Sequence, residues 1–109
     1  MSFGLSDTDV ARIRGVFARF PAIDKAVLYG SRAKGNYKQG SDIDLTLYGK
    51  DLTTAQLGDI AEALDDLFLP YQIDLSIFAH LNHPDLRDHI ERVGQVFYEK
   101  SVAEETGGA

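Results

Sequence analysis

Three aspartates and a glycine–serine turn are the residues in this chain whose types and spacing could do chemistry. Asp42 and Asp44 are two positions apart in Ser41-Asp42-Ile43-Asp44-Leu45-Thr46-Leu47-Tyr48. Aliphatic residues alternate there with polar ones, so a strand would carry both carboxylates on one face and Ile43, Leu45 and Leu47 on the other. Same-face neighbours on a strand lie about 7 Å apart, close enough to converge on one cation. Asp74 occupies the polar face of a second alternating run, with Ile73, Leu75 and Ile77 opposite. Three clustered carboxylates repel one another unless a cation neutralises them. An all-oxygen donor set with no cysteine or histidine beside it points to Mg²⁺, with Mn²⁺ as the alternative, rather than zinc. The competing reading is a polar strand face that simply meets water.

Upstream, Val27-Leu28-Tyr29 reads as a strand broken by Gly30. Gly30-Ser31 then opens one helical turn, where backbone N–H groups and a hydroxyl suit a phosphate. Residues 32–41 join this turn to the aspartates. Residues 25–41 hold Lys25, Arg32, Lys34 and Lys38 and no acid, in a chain whose net charge is −6. That basic island on a phosphate-type turn favours anion binding over a merely solvated loop.

The elements that must position these groups follow from periodicity. Val10, Ile13, Phe17 and Phe20 predict a helix over 7–20, stopped by Pro21. Strands are expected at 25–29, 42–48 and 71–78, with a helical turn at 31–35 and a loop at 36–41. A helix starting in Asp51-Leu52-Thr53-Thr54 is expected to bury Leu57, Ile60, Leu64, Leu67 and Phe68 and to wet Asp59, Glu62, Asp65 and Asp66. Asn82-His83-Pro84 opens a last helix with Leu86, Ile90 and Val93 inward, and Val96-Phe97-Tyr98 reads as an edge strand. This predicts an α/β (α+β two-layer) fold, a small mixed sheet with helices packed on it. Residues 1–98 are expected to be the domain and 99–109 a disordered tail.

At 109 residues the chain has room for one domain. It has no cysteine, which excludes disulfides and zinc–thiolate sites. Its acidity argues against direct nucleic-acid binding, and no apolar run is long enough for a membrane helix. Met1 to Asp9 lack a signal-peptide pattern, so the cytoplasm is the expected location. His80, His83 and His89 share no metal spacing and read as surface or capping residues.

Gly30-Ser31, ten further residues, Asp42-Ile43-Asp44 and a later strand bearing Asp74 together resemble the nucleotidyltransferase superfamily that includes DNA polymerase beta and kanamycin nucleotidyltransferase. Gly30-Ser31-Arg32-Ala33-Lys34-Gly35 is similar to the version found in minimal nucleotidyltransferases, the MNT antitoxin partners of HEPN toxins. The motifs cover 28–48 and 73–77, and the element order agrees over 6–98. The resemblance implies a polymerase beta palm-like fold. It implies that Asp42, Asp44 and Asp74 hold two Mg²⁺ ions, with Asp74 also helping to activate an acceptor hydroxyl. It further implies that Gly30 and Ser31 contact the phosphates of ATP or another nucleoside triphosphate, assisted by Arg32 and Lys34. The implied activity is transfer of AMP to a tyrosine of a partner HEPN toxin. A non-catalytic antitoxin that masks its partner, and a transferase acting on a small molecule such as an aminoglycoside, are the alternatives. Larger members carry an extra helical domain that this chain has no room for, so a toxin partner or a second copy would complete the site. Val96, Phe97 and Tyr98, or Phe68 and Tyr71, are candidates for that contact surface, with core packing the competing reading for each.

Overall fold

The computed structural model describes residues 3–36, 38 and 40–100. Helix α1 (Asp7–Ala18) starts where the Ser6 hydroxyl accepts from Asp9 N, with Asp7 and Asp9 in the first turn, where acids complement the helix dipole. It ends two residues before the expected position, at a capped turn on Arg19. Strand β1 (Lys25–Tyr29) follows, then a single turn α2 (Ser31–Lys34) between Gly30 and Gly35. Strand β2 (Ile43–Tyr48) leads to α3 (Thr54–Asp65). Thr53 rather than Asp51 opens α3. Its side chain and that of Gln56 reciprocally bond each other's backbone N–H at 3.1 Å. Strand β3 (Ile73–Ile77) is shorter than expected, because Phe78–His80 turn into a 3₁₀ helix. Helix α4 (Pro84–Val93) is capped by His83 Nδ1 accepting from Leu86 N at 3.3 Å, as a capping role for that histidine predicts. Strand β4 (Gln95–Glu99) closes the fold.

The four strands lie in the order β3-β2-β1-β4. Strand β1 runs antiparallel to β2 and to β4, and β2 runs parallel to β3. Leu28, Ala26, Ile43, Leu45, Leu47 and Ile77 face α1 and α3 and form the core with Ile13, Phe17, Ile60 and Leu64. Phe97 sits at an irregularity in the β1–β4 register and meets the Phe17 ring edge-on at 6.4 Å. The Phe97 ring is therefore core, whereas its neighbour Val96 is half exposed.

The opposite sheet face is polar, and α4 crosses part of it. There Ser76 Oγ donates to the fully buried Thr46 Oγ1 at 2.9 Å. Further along, the Lys25 ammonium lies 4.6 Å from the Tyr48 ring centre, Tyr48 stacks on Phe78, and the Arg87 guanidinium covers Phe78 at 4.3 Å. Arg87 also donates to the carbonyls of Phe78 and Leu81, which ties α4 to the end of β3.

Two expectations change. The buried face of α3 does not reach Phe68, because the helix stops at Asp65 and Phe68 lies beyond it with 88% of its surface exposed. At the C-terminal end Glu99 belongs to β4, and Lys100 N donates to Asp24 O at 2.8 Å. Both were expected in the tail; its remaining part, 101–109, lies outside the described residues, as do Tyr37 and Gln39 of the expected loop. Among the described residues no helix is long and apolar enough to cross a membrane.

Candidate active site

Parallel pairing of β2 with β3 sets the geometry of the site. Asp44 is the register partner of Asp74, and on the other side it faces Tyr29 of β1. One row across three strands therefore reads Tyr29, Asp44, Asp74, all on the polar face. Asp42 lies one residue before β2, on the same side as Asp44 by alternation. Asp42 and Asp74 are exposed, whereas Asp44 is partly buried between its neighbours.

Burial and two neighbouring carboxylates act in the same direction on Asp44. Partial desolvation is the largest cause, followed by the Asp74 charge, a hydrogen bond with Asp74 and the Asp42 charge. Together they raise its pKa from 3.8 to about 6. Register pairing thus sets two carboxylates side by side, and Asp44 keeps its proton above the usual carboxylate range. Burial, then the Asp44 charge, also raise the Tyr29 phenol, with a Ser76 hydrogen bond opposing and the Asp74 charge adding to the rise.

Gly30 is fitted to this row. Its φ of +78° is left-handed, and a Cβ there would collide with Asp44 Oδ2, with Asp44 Cγ at 3.3 Å. The glycine thus makes room for the carboxylate as well as for an approaching ligand. Ser31 begins α2 directly after it, and the first amides of a helix have no carbonyl partner within it. The turn, the hydroxyl and the acids consequently sit at one end of the sheet.

The four predicted phosphate-side residues separate into two groups. Gly30 and Ser31 lie at the carboxylates, and Lys34 is exposed on α2. Arg32 is 97% buried, a placement its sequence context gave no sign of. Its Nε and Nη2 donate to Ser41 O at 3.1 and 2.7 Å, Nη1 donates to Phe3 O at 2.8 Å, and the guanidinium covers Tyr71 at 4.9 Å. Ser41 is bound a second way, its Oγ donating to Lys38 O at 2.6 Å and accepting from Lys38 N at 3.0 Å. Arg32 therefore fixes the residue immediately before Asp42. Tyr29, which closes the row beside Asp44 and meets the His89 ring at 6.3 Å, is a site-lining residue that the motif spacing did not single out.

The donor set suits a hard divalent cation. Among the described residues no three His, Asp or Glu side chains are gathered into a ready-made cage. Mg²⁺ does not need one, since it typically takes one or two protein carboxylates and completes its octahedral shell with water and substrate phosphates. Asp44 and its register partner Asp74, with Asp42 exposed just before β2, would supply those carboxylates.

Two outcomes are expected. The folded state holds the Asp44 proton up to about pH 6, and the unfolded chain releases it near pH 3.8. The associated stability is complete below pH 3.8 and is lost as pH rises through 6. In metal-free buffer, Asp44→Asn should therefore gain in melting temperature over wild type between pH 4 and 7, with the difference levelling above that; a difference constant with pH would contradict it. Arg32→Met leaves the part-buried Ser41 and Phe3 carbonyls without their guanidinium donors. It should lower unfolding free energy by about 2–4 kcal/mol in urea titrations. A loss under about 0.5 kcal/mol would show that the clamp is not structural.

The family model described as "Polymerase beta, Nucleotidyltransferase" matches residues 6–103. No curated protein matches the chain by sequence. Among solved structures, a toxin–antitoxin complex with AMP-PNP superposes with a TM-score of 0.67 at 18% identity, over 94% of this chain and 80% of that one. The toxin–antitoxin MntA–HepT gives 0.65 at 16% identity, over 93% and 79%. A tri-AMPylated Shewanella oneidensis HEPN toxin in complex with MNT antitoxin gives 0.65 at 16% identity, over 94% and 79%. At such identities these likenesses show the shared fold, a small mixed sheet with helices packed on it. The family-model match spans nearly the whole chain, and the Gly30 turn faces Asp44 and Asp74 within it: this chain belongs to the polymerase beta nucleotidyltransferase family.

Proposed function

We propose that this protein is a metal-dependent nucleotidyltransferase that transfers AMP from ATP to a tyrosine hydroxyl of a HEPN toxin and thereby acts as its antitoxin. The observation that carries the reading is the register pairing of Asp44 with Asp74 beside the Gly30 turn. Family membership supports the reaction class. The AMP-PNP complex and the tri-AMPylated toxin complex among the structural neighbours support the donor and the acceptor.

In this reading Asp42 and Asp44 would hold the divalent ion that carries the triphosphate, and Asp74 would hold one on the acceptor side. Mg²⁺, when bound, neutralises charge on the entering and leaving oxygens of an in-line displacement at the α-phosphorus. The chain's own groups do the rest. Gly30 leaves the phosphates an approach, Ser31 donates its hydroxyl and amide to them, and exposed Lys34 draws the polyanion in. Arg32 acts through the backbone, holding Ser41 so that Asp42 keeps its place. Asp74, exposed at the outer strand, takes the hydroxyl proton in this reading as the acceptor oxygen bonds to the α-phosphorus. The bond to the β-phosphate oxygen then breaks and pyrophosphate leaves.

The decisive assay incubates the protein with a HEPN-domain protein from the same genome, Mg²⁺ and α-labelled ATP. Wild type should label the HEPN protein. Asp42→Asn and Asp44→Asn should fold and bind it yet lose labelling at least about a thousandfold, equivalent to about 4 kcal/mol of transition-state stabilisation. Variants that neither label nor bind less, and that still neutralise the toxin, would replace transfer by masking.

A further inference from the structure

Phe68 stands out among the described residues. Its ring is 88% exposed and its backbone lies at φ +53°, so it gains little from burial and adopts a conformation that L side chains seldom hold. The turn is nevertheless braced. Phe68 N donates to Asp65 O at 3.0 Å, Leu67 N to Leu64 O at 3.1 Å, and Arg12 Nη2 reaches across from α1 to Leu67 O at 2.6 Å. The ring forms one wall of a cavity of about 300 Å³ with Leu64, Asp65, Leu69, Tyr71 and Ile73. An aromatic held outward beside a hollow has the make-up of an interface anchor.

Its location ties it to the site. The segment between α3 and β3 lies at the N-terminal end of β3, and because β2 and β3 are parallel, Asp42, Asp44 and Asp74 occupy that same end. Tyr71 of the hollow carries the Arg32 guanidinium, which in turn holds Ser41 next to Asp42. Strand β3 is an outer strand of the sheet, so this side is not covered by another strand. The surroundings carry more acid than base: Asp65 and Asp66 precede the ring, Asp59 and Glu62 lie on α3, all exposed, against Arg12 at the turn and Arg19 beside Asp59, Glu62 and Asp66.

We propose that the Phe68 turn is the docking surface for the acceptor protein. The fitting partner presents an apolar socket edged by lysine or arginine, which receives the ring while the acids of α3 meet the basic edge. This rests on the reading of the chain as a transferase acting on a HEPN protein. Charge complementarity selects the partner and speeds encounter, and the ring supplies the anchor. An acceptor seated there lies beside the carboxylate end of the sheet, which would bring its hydroxyl to the site.

The test measures binding of the HEPN protein used in the labelling assay. Phe68→Ala should keep the fold and rise in melting temperature with Mg²⁺-ATP as wild type does, weaken HEPN binding at least about tenfold and raise KM for the HEPN protein with little change in kcat. A double Asp65→Lys, Asp66→Lys variant should slow association and lessen its dependence on salt. Unchanged HEPN binding in both variants overturns the docking surface and leaves the transferase reading standing. If Phe68→Ala instead dissolves a dimer of this chain and spares HEPN binding, the surface belongs to a second copy and the proposal fails. A HEPN protein that does not bind wild type overturns the transferase reading and this surface with it.

Discussion

Two carboxylates paired in register across a parallel strand pair are the constraint around which this structure is arranged. Asp44 and Asp74 are register partners, and nothing about strand pairing makes like charges attract. The juxtaposition is eased because Asp44 keeps its proton up to about pH 6. A carboxylate pushed up in pKa by burial and by neighbouring like charges is a common mark of functional sites. The aliphatic face of the same strands supplies the compensation. Ile43, Leu45, Leu47 and Ile77 are buried against α1 and α3, so the register that aligns the acids is the one that fills the core. A one-residue slip of β3 would turn Ile73 and Ile77 outward, and the packing forbids it.

The pieces around the pair are fixed by different forces. Gly30 is required sterically, because a side chain would run into Asp44. The segment before Asp42 is fixed by hydrogen bonding, through Arg32 from one side and the Lys38–Ser41 turn from the other. Helix α4 is fixed by cation–π contacts and carbonyl bonds from Arg87 at the far end of the polar face. The turn, the carboxylates and the covering helix are thus held separately, which leaves the carboxylate end of the sheet open.

Alternation and punctuation made most of the fold legible in the sequence. Period-two patterns located β2 and β3 and assigned their faces correctly, and strand pairing sets Asp44 and Asp74 in the same register. What stayed hidden depended on partners distant in sequence. Arg32 sits in a basic loop and reads as a phosphate ligand; only the tertiary structure brings the Ser41 and Phe3 carbonyls and the Tyr71 ring around it. Phe68 follows the apolar spacing of α3, but the helix ends at Asp65 and a left-handed turn throws the ring outward. Glu99 and Lys100 look like tail by composition, yet pairing with Lys25 and a bond to Asp24 hold them. Tyr29 was legible as a strand residue but not as a site residue, since its place beside Asp44 is set by antiparallel register.

The central claim is that the Asp42, Asp44 and Asp74 edge binds a divalent ion together with nucleotide. Amide-resolved NMR with Mn²⁺ tests it most directly, because a paramagnetic ion broadens resonances around its own position. With a non-hydrolysable ATP analogue present, substoichiometric Mn²⁺ should broaden the amides of Gly30 to Ala33, Asp42 to Asp44 and Asp74 first, and excess Mg²⁺ should restore them. Broadening centred instead on the acidic face of α3, at Asp59, Glu62 and Asp65, or no site-specific broadening, would contradict the account.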